Sequence, residues 1–203
     1  MLFNRTSAMD IEFPQSLNIT LGLPLRNQGI NSVVYEVDYD KVAKIIPRDA
    51  STDPIDELKL TLVAHTLMIG PKVYGAARNS KEGIILMKRY DLTLAELLYA
   101  CQGEVFSVER QRLYGTIERL IQRMHMNGIA HRDLTMDNIL VDLDGTVVIA
   151  DYGRAYFSRN EADRRIDFDS YKKIGFTLRR METGKIFDSP VHLTMETSMH
   201  SRL

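Results

Sequence analysis

The sequence has no tryptophan, a single cysteine among 203 residues, and no apolar run as long as a membrane-spanning helix requires. The one cysteine, Cys101, excludes an internal disulfide, and the absence of metal-ligand residues around it favours a reducing compartment. The first residues, MLFNRTSAMDIEF, contain no uninterrupted apolar core of signal-peptide length. We therefore expect a cytoplasmic chain without a membrane partner.

An excess of charge of either sign is also missing. The chain has 26 Lys and Arg residues against 27 Asp and Glu residues, so its formal net charge is -1. No global basic field exists to collect nucleic acid or anionic membrane, and we expect no sequence-specific nucleic-acid partner. Apolar residues make up 44% of the chain, which is enough to bury a sizeable core in one large or two small lobes.

The first third of the chain alternates between strand and helix signals. Residues 31–46, NSVVYEVDYDKVAKII, are rich in Val, Ile and Tyr around a polar break, which predicts two antiparallel strands. Residues 51–70 open with Ser-Thr-Asp-Pro, place apolar residues at near-helical spacing and end before Gly-Pro, which predicts a helix. KVYGAA and GIILMKRY predict two further strands around a polar loop.

From Asp91 onward, helical patterns dominate. A long helix is predicted with Ser107 as its N-cap and Asn127-Gly128 as its stop, followed by a hairpin around Asp144-Gly145. A last helix is predicted from about Phe168 to Met181, followed by a loose tail.

These elements predict an α+β chain of two lobes. Residues 1–90 would form a small antiparallel-sheet N-lobe with one helix, and residues 91–203 a mainly helical C-lobe. Ligands usually bind in clefts between such lobes, so we expect a site there.

Three short polar acceptor side chains recur among apolar residues in the stretch GIAHRDLTMDNILVDLDGTVVIADYGRA. Asp133 follows His-Arg, Asn138 comes five residues later, and Asp151 opens Asp-Tyr-Gly. Caps and turns could use any one of these residues, but their joint spacing indicates a site for a cation or a proton. Nearby, Asp142 and Asp144 lack the later ligands of a calcium loop and are better explained by the hairpin turn.

These motifs resemble those of the protein kinase superfamily. HRDLTMDN fits the pattern H-R-D-L-x-x-x-N at every fixed position, and DYG matches D-F-G with Tyr152 in place of Phe. The resemblance implies a two-lobed protein-kinase-like fold, with ATP as phosphoryl donor and Mg²⁺ as metal. It also implies that Asp133 is the catalytic base and that Asn138 and Asp151 are metal ligands.

The same resemblance implies a nucleotide clamp in the N-lobe. KVAKII is similar to the V-A-I-K strand with one residue fewer, which makes Lys44 the candidate phosphate-binding lysine and Lys41 the alternative. Glu57, at the start of the predicted helix, is the candidate partner of that lysine, and Asp56 is the second choice.

The glycine-rich loop is reduced to one glycine. NQGINSVVYEV aligns through Gly29 and Val34, while Asn27 and Ser32 stand at the other glycine positions. Asn and Ser are small and still permit a turn, so the loop can fold over phosphate, but less closely than a loop with three glycines. The resemblance implies that the nucleotide is contacted by Gly29, Ser32, Val34, Val42, Lys44, Glu57, Met87, Tyr90 and Leu140, with Met87 and Tyr90 in the hinge and Leu140 on the floor.

The chain departs from ordinary protein kinases after DYG. No A-P-E motif follows, and the helix with the Asp that braces the catalytic loop comes early, with Asp169 the first choice for that brace and Asp167 the second. Thr135 replaces the loop lysine of Ser/Thr kinases. In these respects the chain is similar to compact atypical kinases: the small kinase of the tRNA threonylcarbamoyl-adenosine machinery, and reduced kinases of large DNA viruses and bacterial effectors. A viral or effector chain would act in the host cytoplasm.

Three functions are compatible with these features. The first is a minimal ATP- and Mg²⁺-dependent kinase acting on Ser or Thr hydroxyls of a protein substrate. The second is a pseudokinase that docks a partner protein. The third is a small-molecule phosphotransferase, which Arg132 disfavours because those enzymes typically carry Gly after the His.

Overall fold

The structure, a computed structural model, describes residues 11–25, 32–48, 53–101 and 107–180. Its N-terminal part contains a four-stranded antiparallel sheet in the order β1-β2-β4-β3. The strands are β1 (Val33–Glu36), β2 (Lys41–Pro47), β3 (Val73–Arg78) and β4 (Glu82–Lys88). The predicted order of strand, strand, helix, strand, strand is confirmed.

Helix α1 (Ile55–Thr66) crosses between β2 and β3 and packs on one face of this sheet. Leu58 of α1 is fully buried and forms a cluster with Ile46 of β2 and Ile85 of β4. The helix ends in a tight turn that closes on Gly70, where a Cβ would lie 2.7 Å from the Cβ of Ala64. The path from α1 into β3 therefore depends on that glycine.

The edge strand β1 is covered by a preceding segment for which the sequence predicts no strand. The Leu25 N–H donates to the Val34 carbonyl at 2.8 Å, and the Glu36 N–H donates to the Leu23 carbonyl at 3.0 Å. Because these bonds occupy the backbone groups along β1, the segment protects this edge of the sheet from pairing with other chains.

The rest of the chain is mainly helical with short strands. Its elements are β5 (Leu92–Thr93), α2 (Leu94–Ala100), α3 (Ser107–Met126), β6 (Ile129–Ala130), β7 (Ile139–Val141), β8 (Val147–Ile149), a 3₁₀ turn (Tyr152–Arg154), β9 (Tyr156–Phe157) and α4 (Glu161–Arg180). Strands β5, β7 and β8 form one small sheet, and β6 pairs with β9. The predicted stop of α3 is confirmed, with Gly128 at φ +73°. The α+β architecture predicted from the sequence is also confirmed.

The predicted start of the last helix was wrong. Helix α4 begins at Glu161, not near Phe168. The side-chain Oδ1 of Asn160 accepts the Ala162 N–H at 3.0 Å. Acidic residues occupy the first turn, where the helix dipole favours negative charge. The sequence signal for this start is Asn160 followed by Glu161 and Asp163. The predicted end of the helix at Met181 and the tail lie outside the described residues.

The main core joins α1, α3, α4 and the short strands. Tyr152 from the 3₁₀ turn is buried in this core together with Ile69, Ile121 and Ile149. The buried Tyr152 ring therefore anchors the turn that directly follows Asp151. No helix among the described residues is long and apolar enough to span a membrane.

Candidate active site

Lys44 is the centre of a buried ion cluster. Its Nζ lies 2.5 Å from Glu57 Oε1 and 2.8 Å from Asp151 Oδ1. The side chains of Lys44 and Glu57 are 8% and 11% exposed, whereas that of Asp151 is 41% exposed. Lys44 of β2 thus links α1 to the turn after β8, and the open side of Asp151 faces solvent.

Burial and charge compete in this cluster. Burial alone would lower the pKa of Lys44, but attraction to Glu57 and Asp151 outweighs it and raises that pKa above its ordinary value. Burial raises the pKa of Glu57 more than Lys44 lowers it. For Asp151 the burial effect, which raises the pKa, is weaker than the attraction of Lys44, so its pKa is lowered. Lys44 and Asp151 therefore stay charged at neutral pH.

The predicted nucleotide-contacting strand residues lie on one face of the sheet. Val34 of β1 is paired with Lys44, and Val42 of β2 is paired with Met87 of β4. Paired residues point to the same side, and residues two apart along a strand share a face. Val34, Val42, Met87 and Lys44 therefore line the same face as the ion cluster.

The other predicted contacts lie outside the strands of this sheet. Leu140 lies in β7, opposite Val148, and is half-buried. Tyr90 follows β4, and Lys88 Nζ lies 5.3 Å from its ring centroid. Ser32 immediately precedes β1, while Gly29 lies outside the described residues.

The catalytic-loop residues are tied to Asp151 through the backbone. The Asn138 Nδ2 donates to the Asp133 carbonyl at 2.8 Å. The Ala150 N–H donates to the Asn138 carbonyl at 2.8 Å. Since Ala150 directly precedes Asp151, these two bonds connect Asp133, Asn138 and Asp151 into one unit.

The oxygen atoms in this unit fit a magnesium ion. Because the Asn138 amide nitrogen donates to the Asp133 carbonyl, the Asn138 Oδ1 is the side-chain atom that can bind a cation, and Asp151 supplies a carboxylate. Mg²⁺ is usually held by one or two protein oxygens plus substrate phosphates and water. Among the residues that the structure describes, no group of three His, Cys, Asp or Glu side chains is arranged for a metal. A two-ligand site completed by nucleotide is thus the arrangement that these residues suit.

The turn at Asp151 is strained. Asp151 has φ +62° and ψ +74°, which is uncommon for a residue other than glycine. The ion pair with Lys44 and the buried ring of Tyr152 hold it there. A Cβ on Gly153 would lie 3.0 Å from Glu57 Oε2, so this glycine lets α1 approach the turn. Strain held by its surroundings is typical of functional sites.

His131 is a packed loop residue and is 0% exposed. Its Nε2 lies 2.9 Å from the Ala150 carbonyl, which can only accept, so Nε2 carries the hydrogen. Its Nδ1 then accepts the Asp133 N–H over 3.4 Å. Burial lowers the pKa of His131, and the neutral ring joins the loop to the strand before Asp151.

The first choice for the brace of the catalytic loop, Asp169, was wrong. Asp167 has no exposed surface and accepts the His131 N–H at 2.9 Å and the Arg132 N–H at 2.7 Å. Its Oδ2 also lies 2.9 Å from His125 Nε2. Asp169 instead is half-exposed and pairs with Lys172 at 3.2 Å. The reason is the helical phase: Asp167 lies on the face of α4 that also carries the buried residues Tyr171 and Ile174, whereas Asp169 lies on the solvent-facing side.

Two charged contacts of the site were missed. Lys88 at the end of β4 pairs with the largely buried Asp142 of the β7–β8 hairpin, which joins the sheet to the C-terminal part. Arg154 Nη1 lies 3.7 Å from Asp133 Oδ1. The sequence signal for Arg154 was its position directly after Asp-Tyr-Gly.

Comparisons with known proteins agree with this geometry. The protein kinase domain family matches residues 41–177, a range that contains Lys44, Glu57, Asp133, Asn138 and Asp151. The match begins after the position of Gly29.

Individual relatives are kinases by name. The chain is 26% identical over 158 residues, 70% of its length, to the fatty acyl-CoA synthetase and RNA processing-associated kinase 1 of Saccharomyces cerevisiae, covering 18% of that protein. It is 31% identical over 91 residues, 42% of its length, to the serine/threonine-protein kinase PknD of Chlamydia trachomatis, covering 10% of that protein. It is 45% identical over 56 residues, 28% of its length, to the MAP kinase kinase kinase mkh1 of Schizosaccharomyces pombe, covering 5% of that protein.

The chain thus corresponds to less than a fifth of the length of each of these relatives. The family match, in contrast, extends over most of the chain and includes the whole ion cluster and the catalytic loop. The chain therefore belongs to the protein kinase domain family.

Proposed function

We propose that this chain transfers the γ-phosphoryl group of ATP to a Ser or Thr hydroxyl of a protein substrate. The observation that carries the proposal is the connected set of Lys44, Asp151, Asn138 and Asp133. Lys44 and Asp151 are joined by an ion pair of 2.8 Å. Asn138 bonds both to the residue before Asp151 and to the Asp133 carbonyl, each at 2.8 Å.

Each residue has a role that its surroundings support. Lys44, kept charged by Glu57 and Asp151, binds phosphate oxygens of the nucleotide. Asn138 and Asp151 would hold Mg²⁺, and the bound ion would neutralise charge on the phosphates. Asp133, whose side chain is 36% exposed, accepts the proton of the attacking hydroxyl.

The Ser/Thr class is supported by the chlamydial relative, which is a serine/threonine-protein kinase by name. The family match supports protein phosphorylation in general. The first assay should therefore use broadly accepted protein acceptors.

A nucleotide-binding scaffold that docks a partner protein is the second candidate. Only residues 155–160 separate the 3₁₀ turn from α4, and Phe157 in this stretch pairs with Ile129 of β6. Such a short, strand-paired connection offers a peptide little surface for docking. This feature favours the scaffold, whereas the intact cluster around Lys44 favours catalysis.

The test is transfer of label from γ-labelled ATP with Mg²⁺ to the chain itself, casein, myelin basic protein and a set of small alcohols. Asp133→Ala and Asp151→Ala should abolish transfer. Asp137→Ala, an exposed change in the same loop, should leave transfer near wild type. Equal label in all variants would exclude the catalytic proposal. A rise in thermal stability with ATP but no transfer would select the scaffold, and transfer only to small alcohols would select the small-molecule phosphotransferase.

A further inference from the structure

Arg154 is the last residue of the 3₁₀ turn that begins directly after Asp151. Its guanidinium Nη1 lies 3.7 Å from Asp133 Oδ1, and its side chain is 75% exposed. In the same turn Tyr152 is buried in the core, which fixes the backbone from which Arg154 reaches the loop. The 3₁₀ turn thus places a cation next to the candidate base. Asp151, a candidate metal ligand, directly precedes this turn.

The other cations near this point have different partners. Lys44 is enclosed by Glu57 and Asp151. Arg132 has its Nε 3.9 Å from Asp163 and its guanidinium 5.0 Å from the Tyr156 ring centroid. Arg132 is therefore engaged on the far side of the loop, toward α4.

The loop itself supplies no substitute. Between Asp133 and Asn138 the sequence reads DLTMDN, without Lys or Arg, and Thr135 takes the place of the loop lysine. Of the cations in the described part of the chain, Arg154 is the one that forms an ion pair with Asp133.

The contact between Arg154 and Asp133 is weak as a stabilising interaction. A distance of 3.7 Å exceeds the range of a hydrogen bond, and exposed ion pairs contribute about 0–1 kcal/mol. Losing this pair costs little, so the guanidinium can move from the carboxylate to a more highly charged anion. Its planar array of donors suits phosphoryl oxygens.

We propose that Arg154 binds the oxygens of the transferring phosphoryl group and supplies the cation that the catalytic loop lacks. This inference rests on the proposed function. The acceptor hydroxyl oxygen forms a bond to the γ-phosphorus of ATP, and its proton passes to Asp133. The bond from the γ-phosphorus to the bridging oxygen breaks, and ADP leaves with the electron pair. Arg154 stabilises the negative charge on the phosphoryl oxygens during this exchange.

The opposite role, in which Arg154 masks Asp133 and inhibits the base, predicts the opposite result. Removal of the guanidinium would then raise the rate. The two roles are therefore separated by the sign of the change.

The experiment measures kcat and the KM for ATP with casein and myelin basic protein as acceptors. For Arg154→Ala we expect kcat to fall about 10- to 100-fold, less than for loss of a buried donor because the group is exposed. The KM for ATP should change by no more than about twofold, since the contact strengthens in the transition state. Arg154→Lys should retain intermediate activity.

Two further measurements exclude a structural cause. Guanidinium chloride at millimolar concentration should restore part of the activity of Arg154→Ala but not that of Asp133→Asn. Arg165→Ala, which removes an exposed arginine of α4, should leave kcat unchanged.

The outcomes distinguish the two proposals. An active wild type with an Arg154→Ala variant of equal or higher kcat overturns the role of Arg154 and leaves the proposed function intact. A wild type that transfers no more phosphate than Asp133→Asn overturns both.

Discussion

Replacing Asp167 by alanine should be among the most destabilising single changes in this chain. The Asp167 carboxylate is fully buried and accepts two backbone N–H groups of the catalytic loop, at 2.9 and 2.7 Å, in addition to its contact with His125 at 2.9 Å. Hydrogen bonds to charged groups are worth about 1.5–3 kcal/mol each, and the orphaned donors would stay buried. Because the three contacts are not additive, we expect a loss of about 3–6 kcal/mol in the free energy of unfolding.

The matched control is Asp169→Ala on the same helix. Asp169 is 51% exposed and forms a surface pair with Lys172, so its loss should cost less than about 1 kcal/mol. Urea unfolding followed by circular dichroism measures both changes. A typical domain has about 5–15 kcal/mol of stability, so Asp167→Ala should shift the midpoint strongly or prevent folding. Similar midpoints for the two variants would refute the assignment of Asp167 as the brace.

Two further predictions concern packing and pH. Gly175→Ala should destabilise the fold by about 1–3 kcal/mol in thermal unfolding, because the new Cβ would clash with the Tyr114 ring. Gly115→Ala should instead stabilise α3 by about 0.5–1 kcal/mol, because the nearest atom to its new Cβ lies 3.5 Å away. Equal effects of the two changes would contradict the close approach of α3 and α4. Because burial lowers the pKa of His131 from its usual 6.5, the unfolded state binds a proton first as the pH falls. The stabilising effect of the neutral ring is thus present above pH 6.5 and lost as the pH falls toward the lower folded pKa, by at most about 1.4 kcal/mol per pH unit. His131→Gln should remove that part of the pH dependence of stability, and an unchanged slope would exclude it.

The motifs with local signals could be predicted from the sequence. The pairing of Lys44 with Glu57 and the grouping of Asp133, Asn138 and Asp151 follow from residue spacings that recur in kinases, and the structure brings these residues together. The order of strands and the stop of α3 at Gly128 followed from turn and cap residues. The turn and cap signals lie within a few residues of the feature that they determine, whereas the site residues were grouped by their resemblance to kinase motifs.

The rest depends on contacts between distant parts of the chain. Asp167 and Asp169 have similar sequence surroundings, and the choice between them depends on which face of α4 packs against the rest of the chain. The approach of Arg154 to Asp133 depends on the buried anchoring of Tyr152, which no periodicity reveals. The pairing of Lys88 with Asp142 likewise joins residues 54 positions apart in the chain.

The most direct measurement of the central claim is single-turnover phosphoryl transfer by Asp133→Asn, combined with its affinity for ATP in the presence of Mg²⁺. Because Lys44 and Asp151 form the clamp and Asp133 acts on the acceptor, ATP should bind as in the wild type while the rate of transfer falls about 10²- to 10⁴-fold. A variant that transfers phosphate at the wild-type rate would contradict the claim.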